Sequence, residues 1–237
     1  MLELKNIYKT FNPGTINEKR ALNGLNLKLN EGDFVTVIGG NGAGKSTMLN
    51  AVAGTWPVDE GQILIDNIDV TKLSEHKRAT YLGRVFQDPM TGTAATMGIE
   101  ENLALAKRRG KSRLLRSGIT KAEREEYKEL LKILGLGLED RLTSKVGLLS
   151  GGQRQALTLL MATLQKPKLL LLDEHTAALD PKTAAKVLEI TDMIVNRDHL
   201  TTLMITHNMK DAIAHGNRLI MMMEGKIILD IQGEEKK

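Results

Sequence analysis

The sequence contains no cysteine and few aromatic residues, which make up only 3% of its 237 residues. Without cysteine, disulfides and thiolate metal sites are excluded. Because aromatic side chains are scarce, aliphatic side chains must form most of the core, and a hydrophobic fraction of 41% is sufficient for one. No apolar run approaches the ~18 residues that a membrane-spanning helix needs. Residues 1–6 show no signal-peptide pattern.

The charge is also modest, with a formal net charge of +4. A charge of this size permits contact with anionic lipid or nucleic acid but argues for neither. The length fits one large α/β domain, with room for a subdomain. We find no internal repeat and no low-complexity tract.

Glycine, in contrast, is concentrated in a segment that reads GGNGAGKS over residues 39–46. This segment fits the phosphate-loop pattern, and its flanks fit as well, because residues 34–38 are typical of a buried strand and residues 47–53 of a helix. The backbone N–H groups of such a loop make an anion site at a helix N-terminus. Lys45 is expected to reach the β- and γ-phosphates, and the Ser46 hydroxyl to join a Mg²⁺ shell.

A second glycine segment, LSGGQ at residues 149–153, is by itself only a turn followed by a helix. Together with the phosphate loop it resembles the signature of the ABC (ATP-binding cassette) ATPases. The other family motifs follow in order along residues 2–230: Gln87 as the Q-loop, KLLLLDE at 168–174 as the Walker B strand with the catalytic glutamate, ALD at 178–180 as the D-loop, and ITH at 205–207 as the switch histidine.

Several roles are implied by this resemblance and fit the residue types. Asp173 ends a run of leucines, at the edge where open α/β sheets bind ligands, and is expected to hold Mg²⁺ through water. Glu174 is the expected general base for the attacking water. Gln87 is expected to touch the metal or that water, and His207 to donate a hydrogen bond to the γ-phosphate.

The expected site residues fall into four sets. The expected catalytic residues are Glu174, His207 and Gln87. The expected ATP-binding residues are Phe11, Gly39, Asn41, Gly42, Ala43, Gly44, Lys45, Ser46 and Thr47. The residues expected to bind the ATP of a second subunit are Ser150, Gly151, Gly152, Gln153 and Asp180. The expected metal ligands are Ser46, Gln87 and Asp173. Phe11 is favoured over Tyr8 as the residue that stacks on adenine, because the family register places an aromatic residue there.

The chain departs from the family at residue 175, where His175 replaces the usual proline after the catalytic glutamate. Proline restricts the residue before it, so its loss is expected to loosen the Glu174 backbone without abolishing catalysis. The histidines at 76, 175, 199 and 215 show no metal-ligand spacing and are interpreted as ordinary core or surface residues.

The predicted fold class is α/β, a P-loop NTPase of the ABC cassette type. Its RecA-like parallel-sheet core (residues 1–86 and 166–232) carries an N-terminal antiparallel β-subdomain, and residues 87–165 form a helical signature subdomain. Together residues 1–232 make a single ABC ATPase domain, and the tail 233–237 is expected to be frayed. A capping box at Thr120–Glu123 predicts a helix to about residue 134.

One phosphate loop and one signature per chain demand a second subunit, because the signature of this family completes its neighbour's ATP site. We therefore expect an ATP-bound head-to-tail homodimer, with ATP and Mg²⁺ as cofactors. The helical subdomain is where family members receive a membrane permease. The resemblance further implies an extracytoplasmic binding protein, and a location on the cytoplasmic face of the membrane.

Three functional classes remain at this stage. The favoured one is the energising subunit of a bacterial importer of a small solute, in a subgroup associated with amino acids; export is its alternative. The second is a soluble ATPase acting on nucleic acid or ribosomes, disfavoured because the sequence has one cassette and no long coiled coil. The third is a non-transport transenvelope complex.

The basic cluster at residues 107–116 is either a solvated loop or a contact for anionic lipid or an acidic permease loop.

Overall fold

The computed structural model describes residues 1–111 and 118–236. Within them lie ten strands: β1 Leu2–Phe11, β2 Lys19–Leu29, β3 Phe34–Ile38, β4 Glu60–Ile65, β5 Ile68–Asp69, β6 Leu82–Val85, β7 Leu169–Asp173, β8 Thr201–Ile205, β9 Arg218–Met223 and β10 Lys226–Gln232. The helices are α1 Lys45–Ala53, α2 Glu75–Arg78, α3 Ile99–Lys107, α4 Lys121–Lys132, α5 Gly151–Thr163, α6 Pro181–Asp198 and α7 Met209–Ala214. The predicted α/β fold class is confirmed.

The strands form two sheets. Strands β2-β1-β4-β5 make a four-stranded antiparallel sheet, and β10-β9-β3-β8-β7-β6 make a six-stranded sheet that is parallel except for β10. The N-terminal strands thus form the antiparallel β-subdomain that was predicted, packed against the parallel core through a shared hydrophobic cluster. Strand β10 adds an antiparallel edge to the parallel sheet.

The four leucines of β7 show how the core is built on both faces of the parallel sheet. Leu169 and Leu171 belong to the cluster that also contains α1 and the antiparallel sheet. Leu170 and Leu172 belong to the cluster formed with α3, α5 and α6. A strand buried on both faces needs a continuous apolar run rather than an alternating one, and this explains the sequence pattern.

Strand β6 and helix α2 are not evident from the sequence. Strand β6 has only four residues, and Gly83 and Arg84 interrupt its apolar character. Tertiary pairing with β7, from Leu82 opposite Leu169 to Val85 opposite Leu172, makes this segment a strand. Its placement matters because Gln87 follows directly after it.

The C-terminal segment also differs from the expected frayed tail. Residues Gly233–Lys236 form a 3-10 helix, and Lys236 is buried. Its Nζ donates to the backbone carbonyls of His215 and Gly216, which ties the tail to the segment after α7. Lys237 lies outside the described residues.

Buried Arg78 of α2 fixes the far end of α1. Its guanidinium donates to the carbonyl oxygens of Ala51 (2.6 Å) and Val52 (2.9 Å) at the C-terminal end of that helix. It also donates to the carbonyls of Thr71 and Leu73. A charged group with four carbonyl partners stabilises these backbone acceptors, of which the Ala51 carbonyl also accepts from the Gly54 N–H (3.2 Å).

Arg78→Met should therefore lower the free energy of unfolding by about 3 kcal/mol, because the buried carbonyls lose their only charged donor. Urea denaturation monitored by circular dichroism measures this. The exposed neighbour provides the control, since Lys77→Met should change stability by less than about 0.5 kcal/mol. Equal transition midpoints for the Arg78 and Lys77 variants would contradict the assignment.

Candidate functional site

The phosphate loop connects β3 to α1 at the carboxyl edge of the parallel sheet. Gly39 (φ 148°) and Gly44 (φ 101°) adopt positive φ values, and a Cβ would lie 2.3 Å from the Met222 carbonyl at the first and 2.5 Å from the Ala21 carbonyl at the second. Only glycine fits either position. The Lys45 ammonium donates to the carbonyls of Gly39 (2.7 Å) and Gly40 (3.2 Å), so it lies across the mouth of the loop.

A cavity of about 220 Å³ opens over this loop. Its lining residues are Phe11, Lys19, Ala21, Asn41, Gly42, Ala43, Gly44, Lys45, Ser46, Thr47 and Glu174. The structure thus gathers nearly all of the residues expected to bind ATP, and Glu174 with them. Lys19 and Ala21 were missed, because they lie in β2 and no motif marks that strand.

Phe11 lies at the end of β1 with its ring edge-on to Trp56, at a centroid distance of 5.1 Å. Trp56 follows α1, so the aromatic pair joins the antiparallel sheet to the helix of the phosphate loop. Tyr8, the alternative to Phe11, directs its hydroxyl toward Gly24 and does not line the cavity. The geometry therefore agrees with the preference for Phe11.

Asp173 and Glu174 emerge from β7 at the same sheet edge. Burial raises the pKa of Asp173, and the Arg84 guanidinium 3.7 Å away opposes that effect. Glu174 has a left-handed backbone (φ 45°), and its N–H donates to the Ile205 carbonyl of β8 (3.0 Å). This turn directs the Glu174 side chain into the cavity above the phosphate loop.

His207 follows β8 and lies beside Glu174, with Nδ1 3.4 Å from the Glu174 Oε2. The imidazole is largely exposed (61%), and it lines a neighbouring cavity with Glu174 rather than the phosphate-loop cavity itself. Gln87 follows β6 at the same sheet edge and is exposed, but it does not line the cavity. The carbonyl of the preceding residue, Phe86, accepts a hydrogen bond from Gln155 of α5 (3.0 Å).

The donor set expected for Mg²⁺ is a hydroxyl, a carboxylate and an amide, from Ser46, Asp173 and Gln87. These are hard oxygen donors, which suit magnesium when phosphate oxygens and water complete its shell. Among the described residues no group of three or more His, Cys, Asp or Glu side chains is arranged to hold a metal without such help. The residues present therefore fit a metal that arrives with a nucleotide.

The signature begins α5. Ser150 is its N-cap, with Oγ accepting from the Gln153 N–H (3.3 Å), and the Gln153 side chain returns to the Ser150 N–H (3.2 Å). The Gln153 side chain thus takes part in capping the N-terminus of α5 within its own chain. Gly152 packs so closely on α6 that a Cβ would lie 2.1 Å from Thr183 Cγ2. No signature residue lines the phosphate-loop cavity among the described residues.

Asp180 precedes α6 and caps it, with Oδ1 accepting from the Thr183 N–H (3.1 Å). Hydrogen bonds from the side chain and the backbone of Thr183 lower the pKa of Asp180. Thr183 also contacts the position of Gly152, so the D-loop and the signature lie next to each other. Neither segment lines the phosphate-loop cavity, but Leu179 and Pro181, on either side of Asp180, line a neighbouring cavity together with Glu174 and His207.

A family model described as ABC transporter matches residues 22–177. The chain belongs to the ABC transporter family of ATP-binding proteins. Members of this family hydrolyse ATP to drive transport, and the chain is an ATP hydrolase of this type. The family resemblance read from the motifs is thereby confirmed.

The chain is 45% identical over 238 residues to a tyrosine transport ATP-binding protein of Clostridioides difficile (strain R20291), covering 100% of this chain and 94% of that protein. It is 34% identical over 233 residues to the methionine import ATP-binding protein MetN of Bartonella henselae, covering 96% of this chain and 64% of MetN. This chain therefore covers less than two thirds of the length of MetN.

Among solved structures, the dimeric post-hydrolysis state of the ATP-binding cassette MJ0796 bound to ADP and Pi superposes with a TM-score of 0.82. The identity is 32%, and the match covers 98% of each chain. This likeness confirms the ABC cassette fold. Within residues 1–111 and 118–236, no helix of this chain combines the length and apolar character that crossing a bilayer requires.

His175, which replaces the family's proline, is buried rather than loose. Its Nε2 lies 3.1 Å from the Thr191 hydroxyl of α6. That hydroxyl donates to the Val187 carbonyl (2.8 Å), so the imidazole is the donor in the first bond. Loss of the proline was expected to loosen the Glu174 backbone, but this hydrogen bond ties the residue after Glu174 to α6.

Burial and the nearby His215 lower the pKa of His175 to about 4. His215 behaves oppositely: a hydrogen bond to Asp192 (2.7 Å) raises its pKa. Two histidines interpreted as ordinary thus interact behind the catalytic turn, His175 buried and His215 half-buried. No motif signals this pair, because its two members come from separate segments of the chain.

In the described part of the basic cluster of residues 107–116, two of the four basic side chains are ion-paired within the chain, and Lys111 is exposed. Lys107 pairs with Glu126, and Arg108 pairs with Glu123 (2.9 Å). Burial lowers the pKa of Arg109. Arg113 and Arg116, also counted in this cluster, lie outside the described residues.

Because the folded protein keeps His175 neutral, its stability should fall as the pH drops from about 6.5 to about 4, where only the unfolded chain binds the proton. His175→Gln retains a donor for Thr191 and does not titrate. Between pH 7 and pH 5 the wild type should lose about 2 kcal/mol more stability than this variant. Urea denaturation at both pH values measures the difference, and parallel losses would show that His175 is protonated in the fold.

Proposed function

We propose that this chain is the ATP-hydrolysing subunit of a bacterial importer of a small solute of the amino-acid class, and that it works as an ATP-bound head-to-tail homodimer. One observation carries the proposal. Phe11 and Glu174 line the cavity over the phosphate loop, but none of the described signature residues lines it. The binding site is therefore half of a composite site.

The nucleotide half-site follows from the cavity lining. Phe11 offers a ring for adenine, and the N–H groups of the phosphate loop together with Lys45 bind the phosphates. Ser46, Asp173 and Gln87 are the residues that would hold Mg²⁺. When bound, the metal ion supplies neutralisation of the charge that develops on the transferred phosphoryl group.

Hydrolysis needs a positioned water and a base within reach of it. Glu174 faces the cavity, and in the proposed mechanism it accepts a proton from the attacking water. His207, 3.4 Å from the Glu174 carboxylate, orients that group and donates to the γ-phosphate. Catalysis on this arrangement is positioning and electrostatic stabilisation, without a covalent enzyme intermediate.

The second half of the site comes from another copy of the chain. The N-terminus of α5, with Ser150 and its two glycines, is an exposed helix end that suits a phosphate group. Asp180 and Gln153 lie on the same surface. The dimeric MJ0796 cassette, bound to ADP and Pi, supports such an arrangement for a chain of this fold. Loss of the γ-phosphate after hydrolysis then releases the dimer.

The permease is proposed to dock on the helical subdomain. A groove of about 380 Å³ lies between α3 and α4, where Leu105 is 42% exposed. The ion pair of Glu100 with Arg124 (2.6 Å), two residues that also line this groove, links the two helices. Because Lys107 and Arg108 are ion-paired within the chain, we assign membrane attachment at the cytoplasmic face to this groove rather than to lipid contact.

The substrate class is supported by relatives alone, because no residue of a cytoplasmic ATPase subunit contacts the transported solute. A relative that matches over nearly its whole length is a tyrosine transport ATP-binding protein, and MetN is a methionine import ATP-binding protein. Tyrosine and methionine are both amino acids. We therefore propose amino-acid import with a separate permease and an extracytoplasmic binding protein.

Glu174→Gln should reduce ATP turnover by at least about 100-fold, because the base for the attacking water is lost while the nucleotide contacts remain. With saturating MgATP the variant should elute as a dimer in gel filtration. Lys45→Ala provides the control, since it should lose ATP binding and stay monomeric. A Glu174→Gln protein that binds MgATP tightly yet remains monomeric would contradict the composite site.

Deleting the gene in its host should abolish uptake of radiolabelled tyrosine, since the importer loses its source of energy. Expression of the wild-type chain should restore uptake, and expression of Glu174→Gln should not. Spermidine uptake serves as the control and should not change. Unaltered uptake of tyrosine and methionine would contradict the substrate class, and increased tyrosine accumulation would indicate an exporter.

A further inference from the structure

Arg84 is a nearly buried cation that no motif includes. It is the third residue of β6, its side chain is 14% exposed, and it lies beside Asp173, which is 16% exposed. Strand pairing places Arg84 next to Leu171, two residues before Asp173. Because side chains alternate along a strand, Arg84 and Asp173 point to the same face of the sheet, the face that α1 covers.

The guanidinium also bonds to α1. One Nη donates to the Asn50 Oδ1 (2.7 Å), and the other donates to the Thr55 hydroxyl (3.1 Å). Asn50 in turn donates from its own amide to the carbonyl of Ser46 (2.8 Å). A single side chain therefore connects the Arg84 guanidinium to the backbone of the residue expected to bind magnesium through its hydroxyl.

The remaining face of the guanidinium covers an aromatic ring. Its Cζ lies 4.5 Å from the ring centroid of Phe86, the residue directly before Gln87. Arg84 thus contacts Asp173 directly. It also contacts Asn50, which is hydrogen-bonded to Ser46, and Phe86, which precedes Gln87. Those three residues come from separate segments of the chain, and they are the complete set expected to hold the metal.

We propose that Arg84 is the positioning residue of the magnesium site, holding Asp173, the start of α1 and the Q-loop in the arrangement that the metal requires. The proposal rests on the nucleotide site described above. The guanidinium has a rigid fork of donors, so it can engage Asn50, Thr55 and Asp173 at the same time. A lysine has the same charge but cannot bridge three partners in fixed directions.

A positioning role and a simple charge effect predict opposite results. Removing a positive charge near the metal would strengthen metal binding, because like charges repel. Removing a residue that orients metal ligands would weaken it, commonly by about 10-fold or more. Lysine and methionine at position 84 separate the two effects, since only the lysine retains the charge.

The test measures Mn²⁺ binding to the protein–ADP complex by electron paramagnetic resonance, with protein in excess over ADP. Both Arg84→Lys and Arg84→Met should weaken Mn²⁺ binding by about 10-fold. ADP affinity in EDTA, followed by the fluorescence of Trp56, verifies that each variant retains the nucleotide site. Trp56 is the single tryptophan of the chain and contacts Phe11, so its signal reports this site.

Arg218→Lys is the matched control, because Arg218 is also 14% exposed and ion-paired to a carboxylate, Asp230, but lies far along the sheet in β9. It should leave Mn²⁺ binding unchanged. Wild-type Mn²⁺ affinity in Arg84→Lys, or tighter binding in Arg84→Met, would overturn the positioning role. Failure of the wild type to bind ADP would instead overturn the proposed nucleotide site.

Discussion

The parallel pairing of β3, β8, β7 and β6 is the constraint on which the rest of this structure depends. Each strand is followed at its carboxyl end by one functional segment, and parallel pairing places all four ends at the same sheet edge. The registers that join Val37 and Asp173 to Ile205 align these ends. A slip of one residue would exchange the β7 leucines between the two buried faces of the sheet and move Asp173 to the opposite face, so the packing of the core fixes the geometry of the site.

The same architecture separates the two helix N-termini that are proposed to bind phosphate groups. The phosphate loop begins α1, which packs with the antiparallel sheet on one face of the parallel sheet. The signature begins α5, which belongs to the core on the other face. A rigid sheet between them prevents one chain from closing both ends on one phosphate group. A second copy is therefore the simplest means of bringing a signature to each phosphate loop.

Charge at the catalytic edge is balanced by neighbours that the motifs do not include. Arg84 opposes the rise in the pKa of Asp173 that burial causes. His175 joins the turn at Glu174 to α6 in place of a rigid proline. Both residues are nearly buried and both lie behind the site rather than in it.

The sequence by itself determined the family, the fold class and most of the cavity lining, because the phosphate loop and the strand before it are local patterns whose physics needs few neighbours. The capping box at Thr120 is local in the same sense, and α4 begins where it predicts. Only the tertiary structure decided that β6 is a strand, that Lys19 lines the cavity, that Lys236 is buried and that Arg84 lies against Asp173. Each of these depends on contacts between residues distant in the chain, and periodicity carries no information about such contacts.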